Sequence, residues 1–134
     1  MNDRTKHLEM IQTVVARHAS AGFSIRGWAV VLVSALVGLA AKDANPRYAV
    51  VVVLPVLMFW ALDAYYLRQE RLFRALYDHV RCTSETDFSM DTTSTGSKVD
   101  SWWLTLFARP LLFFYLPLCG VSVGVTLAAV RFAR

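Results

Sequence analysis

Charged side chains are scarce in this sequence. Asp, Glu, Lys and Arg make up 18% of its 134 residues, whereas hydrophobic residues make up 56% and the mean hydropathy is +0.42. A soluble domain carries about a quarter charged residues, so this chain has too little polar surface to cover a globule. The composition excludes a disordered tail and an ordinary cytosolic enzyme, and it predicts a small integral membrane protein.

Cysteines and catalytic motifs are scarce as well. Cys82 follows a charged segment and Cys119 lies in an apolar run, so we expect no disulfide between them and exclude a secreted disulfide scaffold. No CxxC motif or Cys/His cluster predicts a metal site, and His7, His18 and His79 lack ligand spacing. No GxSxG, HExxH, P-loop or GxGxxG motif predicts an active site. We therefore expect no enzyme activity, no metal and no cofactor.

Three apolar runs are long enough to be considered as membrane spans. The run from Pro110 to Val130 contains no charge, and it has the length of about 20 residues that a helix needs to cross the hydrocarbon core. The runs Gly27 to Ala41 and Tyr48 to Leu62 are also uncharged but shorter. They approach the length of a span when the first is extended back to Phe23 and the second on to Leu67. The sequence therefore predicts three spans.

The polar segment 42–47 contains Asn45-Pro46, which is a turn signal. We therefore expect an all-α fold: an integral membrane helical hairpin plus a third transmembrane helix, with amphipathic and extended cytoplasmic helices. Cleavage of the first span as a signal peptide, at the small residues that end in Ala41, is the alternative. The segment before that span, from Met1 to Arg26, is longer and more patterned than a basic n-region, which favours a retained helix.

Lysine and arginine residues indicate the orientation. Ten lie in the N-terminal segment and between Leu67 and Arg109, whereas four lie in the first turn and at the C-terminus. Because positive charge accumulates on the cytoplasmic side, we expect the N-terminus in the cytoplasm and the C-terminus outside, in a bacterial inner membrane. This asymmetry accounts for the net charge of +4 without a nucleic-acid partner.

Four segments follow from these patterns. Residues 1–22 predict a cytoplasmic amphipathic helix. This helix either lies on the membrane or on neighbouring helices, or it moves in response to a signal. Residues 23–81 predict the two-span hairpin with a cytoplasmic helical extension. Residues 82–100 predict a flexible Ser/Thr-rich cytoplasmic loop. Residues 101–134 predict an interfacial segment and the third transmembrane helix. The extension carries an apolar stripe that so small a chain cannot cover with a core of its own: Phe73, Leu76, Tyr77 and Val80. The amphipathic N-terminal helix could cover part of this stripe and further copies of the chain the rest, which favours a homo-oligomer.

Two charges lie at matched depth in the predicted hairpin. Arg26 precedes Ala41 by the same interval along the chain by which Asp63 follows Tyr48. Helical rise places both about 22 Å from the outer turn, where an unpaired charge is costly. One interpretation is a structural clamp between the first two spans. The other is a polar ring at the mouth of an oligomeric pore, with Glu70 and Arg71 a turn or two beyond.

Small and aromatic side chains recur at positions typical of membrane helices. A GxxxG-like face in the third span and a shorter one in the first span permit close helix packing, within the chain or between copies: Gly120, Gly124 and Ala128, and Ser34 and Gly38. Four tryptophans suit anchoring at the membrane interface: Trp28, Trp60, Trp102 and Trp103.

The run from Phe59 to Arg74 (FWALDAYYLRQERLFR) looks like a signature of small bacterial membrane proteins. The order of amphipathic helix, two-span hairpin and cytoplasmic helix, over roughly Arg4 to Arg81, resembles the SLATT group. That resemblance is architectural, and the third span and the Ser/Thr-rich loop depart from the two-span layout of the group. It implies a pore-forming effector in an anti-phage or nucleotide-signalling conflict system.

The sequence thus favours a homo-oligomeric inner-membrane protein that permeabilises the membrane or conducts ions when triggered from the cytoplasm. The expected partners are the lipid bilayer, further copies of the chain, and a cytosolic sensor protein or ligand. The alternative is a structural or accessory membrane subunit that conducts nothing and docks a cytosolic partner.

Overall fold

A computed structural model describes residues 2–43, 45, 47–85 and 87–133. In these residues the chain forms α1 (Asp3–Asp43), α2 (Arg47–Cys82), a short 3-10 helix (Gly96–Lys98), α3 (Trp102–Leu106) and α4 (Arg109–Phe132). No strand occurs within the described ranges. The prediction of an all-α fold is confirmed.

Helices α1, α2 and α4 are each long and apolar enough to cross a membrane. This agrees with the three predicted spans and confirms the expectation of a multi-pass membrane protein. Helix α1 continues through residues 22 and 23, where the sequence analysis divided two segments. Pro55 and Pro117 lie inside α2 and α4. A membrane helix tolerates proline because neighbouring helices and side chains satisfy the freed carbonyl groups.

The chain divides into two compact units. Unit 1 comprises Met1–Phe23 and Ala64–Thr105, and unit 2 comprises Ser24–Asp63 and Leu106–Arg134. Unit 1 therefore holds the charged part of α2 and the Ser/Thr-rich segment, whereas unit 2 holds the apolar runs.

Unit 1 is built around a small apolar core. Ile11 on α1 and Leu76 and Val80 on α2 are 0%, 4% and 7% exposed. The two α2 positions have i, i+4 spacing, which places them on one helical face. Five partly buried side chains complete the core: Leu8, Val15, Phe73, Tyr77 and Met90. Four of the five lie on α1 or α2, and Met90 comes from the Ser/Thr-rich segment. The apolar stripe of the α2 extension is thus packed within the chain, and its burial does not require a second copy.

The Ser/Thr-rich segment is attached to the helices of unit 1 at several points. Its residues 93–95 form a turn that leads into the 3-10 helix, and Thr95 is buried. Asp100 accepts a hydrogen bond from Arg68 Nε through its backbone carbonyl at 3.2 Å, and its carboxylate lies 3.9 Å from Arg71 Nη1. The segment is thus held by polar contacts at one end and by Met90 near its middle, while its flexibility stays a prediction.

The buried apolar side chains that α1 and α2 contribute to unit 2 are small. On α1 and α2 they recur at helical spacing: Ala29, Val33 and Ala40, and Val52 and Val56. Small side chains let the backbones of membrane helices approach closely. Large apolar side chains of the same helices are exposed, as expected for a surface that faces lipid.

Candidate functional site

Arg26 and Asp63, which the sequence analysis expected to pair, form a two-point ion pair within unit 2. Arg26 Nε donates to Asp63 Oδ2 at 2.7 Å, and Arg26 Nη2 donates to Asp63 Oδ1 at 3.4 Å. The side chain of Asp63 is 1% exposed and that of Arg26 is 31% exposed. A guanidinium that meets both carboxylate oxygens fixes distance and orientation together. The pair therefore holds one residue of α1 against one residue of α2.

Tyr115 of α4 is a third member of this site. Its hydroxyl donates to Asp63 Oδ2 at 3.1 Å and lies 3.3 Å from the carbonyl oxygen of Phe59. The tyrosine side chain is fully buried. Asp63 thus accepts hydrogen bonds from α1 and from α4, and we call Arg26, Asp63 and Tyr115 the clamp triad. The triad links all three of the long apolar helices through one carboxylate.

Two further aromatic contacts fix the clamp triad in place. The ring of Trp60 lies parallel to that of Tyr115, with centroids 5.9 Å apart and an angle of 4° between the planes. Trp60 Nε1 donates to the carbonyl oxygen of Leu106 at 2.9 Å. On the other side, the guanidinium carbon of Arg26 lies 6.0 Å from the centroid of the Phe114 ring. These rings cover part of the polar groups, of which Asp63 is 1% exposed and Arg26 is 31% exposed.

Helical spacing explains why these residues meet. Trp60 and Asp63 are three positions apart on α2, which places both on one face of that helix. On α4, Tyr115 lies four positions after the buried Leu111 and therefore on the buried face of that helix. Sequence analysis found the charges but missed Tyr115. The available signal was the one tyrosine of the third span, because a tyrosine hydroxyl requires a partner when it is buried.

The other two residues of the predicted pore mouth have different partners. Glu70 Oε1 forms an ion pair with Arg74 Nη2 at 2.6 Å, at the i, i+4 spacing of helical pairs. Arg71 lies 3.9 Å from the carboxylate of Asp100. Both contacts belong to unit 1, whereas Arg26 and Asp63 belong to unit 2. The four residues of the predicted pore mouth therefore divide between the two units.

The predicted packing residues are uncovered in the part of the chain that the structure describes. All five are exposed: Ser34, Gly38, Gly120, Gly124 and Ala128. A Cβ atom added at each of the three glycines would meet no described atom within 4 Å. Ser122 and Thr126, two positions after Gly120 and Gly124, are instead buried. Since two residues turn a helix by about 200°, the small-residue face of α4 lies opposite its buried face.

The four predicted anchoring tryptophans fall into two groups. Trp28 and Trp103 are 67% and 69% exposed, and Trp103 meets the half-buried Trp102 edge to face, with ring centroids 4.7 Å apart. These side chains are available to a membrane interface. Trp60 is instead half-buried against Tyr115 of the clamp triad. Its contacts are those of a packing residue.

A second cluster, which sequence analysis missed, joins α1 to the Ser/Thr-rich segment in unit 1. His7 is 1% exposed, and its Nε2 donates to the carbonyl oxygen of Ser89 at 2.9 Å. The ring of Phe88 lies 5.5 Å from that of His7. Phe88 adopts a φ of 55°, in the left-handed region that non-glycine residues rarely occupy. Beside this residue, Ser89 reaches His7 of α1 and Met90 reaches the apolar core of unit 1.

The turn that follows is stabilised by a carboxylate. Asp91 accepts hydrogen bonds from the backbone N–H of Thr93 at 2.9 Å and from its hydroxyl at 2.7 Å. These two donors lower the pKa of Asp91 below its ordinary value, because they favour the charged form. Acid therefore weakens this turn. The charged Asp91 carboxylate stabilises the turn fully above the ordinary pKa of an aspartate, and this stabilisation is lost as the pH falls through the lowered pKa of Asp91.

A hollow of about 450 Å³ lies beside this cluster in unit 1. Two histidines and three acidic side chains are among its lining residues: His7 and His79, and Glu85, Asp87 and Asp91. Within the described residues, no group of three or more His, Cys, Asp or Glu side chains is arranged to hold a metal ion. The thiols of Cys82 and Cys119 are both free.

Comparison of the chain with protein-family models, with curated proteins and with solved structures finds no match. The resemblance to the SLATT group therefore stays a prediction based on the layout of the sequence.

Proposed function

We propose that this chain is a homo-oligomeric protein of the bacterial inner membrane that makes the membrane permeable to ions when a signal reaches its cytoplasmic part. Its first two spans form a hairpin, its N-terminus is cytoplasmic and its C-terminus lies outside. Defence against phage is the setting that the SLATT-like layout suggests. In the resting state the clamp triad holds the three apolar helices closed.

The small-residue face of α4 is the observation that carries this proposal. Gly120, Gly124 and Ala128 are exposed on the side of α4 opposite its buried face, and open space lies above both glycines. A face of this kind lets another helix approach closely. Because no helix of the same chain covers it among the described residues, a second copy is the partner we propose.

The clamp triad supports a closed resting state. A carboxylate that is 1% exposed and bonded to two other helices resists separation of those helices. Breaking a buried ion pair costs about 3–5 kcal/mol, because it leaves an uncompensated charge. A trigger that moves one helix away from Asp63 would expose three polar groups at once. The triad would then change from a clamp into a polar lining.

Unit 1 supplies a place for the trigger to act. The Ser/Thr-rich segment is attached to α1 through His7 and to the apolar core through Met90. The hollow of about 450 Å³ beside these contacts would admit a small cytosolic ligand. Since α1 and α2 contribute residues to both units, a shift in unit 1 would reach the helices that carry Arg26 and Asp63.

A second candidate function is a structural or accessory subunit that conducts nothing and docks a cytosolic partner. It is favoured by the hydroxyls of the apolar spans. Ser122 donates to the carbonyl oxygen of Leu118 at 2.6 Å, and Thr126 donates to that of Ser122 at 2.8 Å. Hydroxyls that bond back to their own helix do not line a pore.

The test measures particle mass and planar-bilayer current on the same detergent- or nanodisc-solubilised sample. An assembly of four or more copies that passes current supports the effector. A silent assembly of that size fits the closed effector if the clamp variants described in the Discussion pass current, and it supports the accessory subunit if those variants are silent as well. A silent monomer or dimer contradicts the constitutive pore, and the current is then measured again on the clamp variants described in the Discussion.

A further inference from the structure

A shallow apolar groove runs along the first half of α4, within unit 2. It encloses about 440 Å³ and is lined by Arg109, Leu112, Phe113, Leu116 and Pro117. Phe113 and Leu116 are 80% and 56% exposed. From Arg109 to Pro117 the helix rises about 12 Å, which is most of the ~15 Å depth of one leaflet of the hydrocarbon core. The groove is thus as long as an acyl chain segment and as apolar as one.

The groove begins at an arginine that lacks an acidic partner. Within the part of the chain that the structure describes, Arg109 makes no ion pair, in contrast to Arg26, Arg71, Arg74 and Arg81. Arg109 is exposed at the first position of α4, and no side chain caps that helix end at Ala108. The guanidinium and the positive end of the helix dipole therefore favour the same kind of ligand, an anion.

We infer that this groove is a binding site for one anionic phospholipid. The lipid phosphate pairs with Arg109, and one acyl chain lies along Leu112, Phe113 and Leu116. A zwitterionic lipid is disfavoured because its own cation competes with the arginine. A free phosphate would leave the apolar groove unfilled. The inference does not depend on the proposed permeabilisation, since either candidate function can include a bound lipid.

The opposite end of α4 offers a matched comparison. Arg131 also lies beside a surface hollow, of about 580 Å³, lined by Gly124, Leu127, Ala128 and Phe132. It carries the same charge and makes no described ion pair. However, it lies in the last turn of the helix, where the carbonyl groups form the negative end of the dipole and disfavour an anion. Arg131→Gln therefore removes the same charge from a site that should not bind the lipid phosphate.

The test is native mass spectrometry of the full chain in detergent, titrated with phosphatidylglycerol and separately with phosphatidylcholine. We expect the wild type to retain phosphatidylglycerol in preference to phosphatidylcholine. Arg109→Gln should weaken phosphatidylglycerol binding about fivefold, the effect of one arginine near an anionic lipid surface. Arg131→Gln should leave it unchanged. Equal losses in the two variants would overturn the site, because they would indicate attraction by net charge alone.

A second variant tests the groove without changing charge. Leu116→Trp places an indole in the groove and leaves Arg109 intact, so we expect it to weaken phosphatidylglycerol binding as well. Wild-type binding by Leu116→Trp, or displacement of the lipid by inorganic phosphate, would overturn the lipid assignment. The substituted residues are all exposed, and thermal unfolding of each variant checks that the fold is retained.

Discussion

Arg26 and Asp63 lie on different helices and are bonded at two points, yet they differ sharply in exposure. The carboxylate is 1% exposed, whereas 31% of the arginine side chain remains accessible. The loss in free energy of unfolding when the pair is broken should therefore depend on which partner is removed. A buried carboxylate without its cation has no access to water, whereas an arginine can extend its head group toward a polar surface.

Arg26→Gln should consequently destabilise the protein more than Asp63→Asn. We expect Arg26→Gln to lower the free energy of unfolding by about 3–5 kcal/mol, the cost of an uncompensated buried charge. The double variant should lose less than the sum of the single losses, because no charge is then left alone. Unfolding by SDS in mixed micelles measures the free energies of unfolding of the two single variants and of the double variant. Additive losses would show that the two residues act independently.

Tyr115→Phe should lower the free energy of unfolding by about 1.5–3 kcal/mol, the usual contribution of a hydrogen bond to a charged group. The phenylalanine ring keeps the stacking on Trp60, so the loss reports the hydroxyl alone. Tyr65→Phe is the control, because Tyr65 is half-exposed and its hydroxyl has no described partner. If both variants unfold at the same SDS concentration as the wild type, the hydroxyl of Tyr115 does not belong to the clamp.

The ion pair could be predicted from the sequence because helical rise alone sets its geometry. Both charges lie equally far along the chain from the ends of a short turn. Because each residue of a helix adds a fixed rise of about 1.5 Å, two residues that lie equally far along the chain from the turn also lie equally deep in the membrane. Tyr115 could not be placed in the same way. Its contact depends on which face of α4 is buried, and an apolar span with little periodicity does not reveal that face.

The contacts of the Ser/Thr-rich segment could not be predicted from the sequence either. Composition describes how a segment behaves alone, and this one is polar enough to predict a flexible loop. Its attachment depends on two side chains, Phe88 and Met90, and on a histidine 82 positions away from Ser89. Periodicity within one segment contains no information about such distant contacts.

His7→Phe should loosen the Ser/Thr-rich segment. The ring remains to pack against Phe88, but the donor to the Ser89 carbonyl is lost, and one hydrogen bond changes a local opening equilibrium about fivefold. Amide hydrogen exchange over residues 87–95 measures this change. His79→Phe is the control, because His79 is exposed and lines the same hollow. Equal exchange in the two variants would show that His7 does not retain the segment.

Gly120→Leu should reduce the size of the assembly without destabilising the single chain. The added side chain enters open space in one chain but occupies the face that we assign to a second copy. Gly27→Leu is the matched control, since Gly27 is an exposed glycine of α1 with the same open space above it. Light scattering measures the mass of the purified assemblies. A smaller particle with Gly27→Leu, or an unchanged one with Gly120→Leu, would place the interface elsewhere.

The most direct test of the clamp is the rate of ion efflux from liposomes that contain the wild type, Tyr115→Phe or Asp63→Asn at equal protein density. We expect faster efflux in both variants, because each weakens the bonds between Asp63 and the helices around it and opens a conducting assembly. Tyr65→Phe should match the wild type. Efflux that stays at the wild-type rate in both clamp variants, while their unfolding shows that the contacts are lost, would contradict the effector and leave a protein whose buried triad stabilises the fold alone.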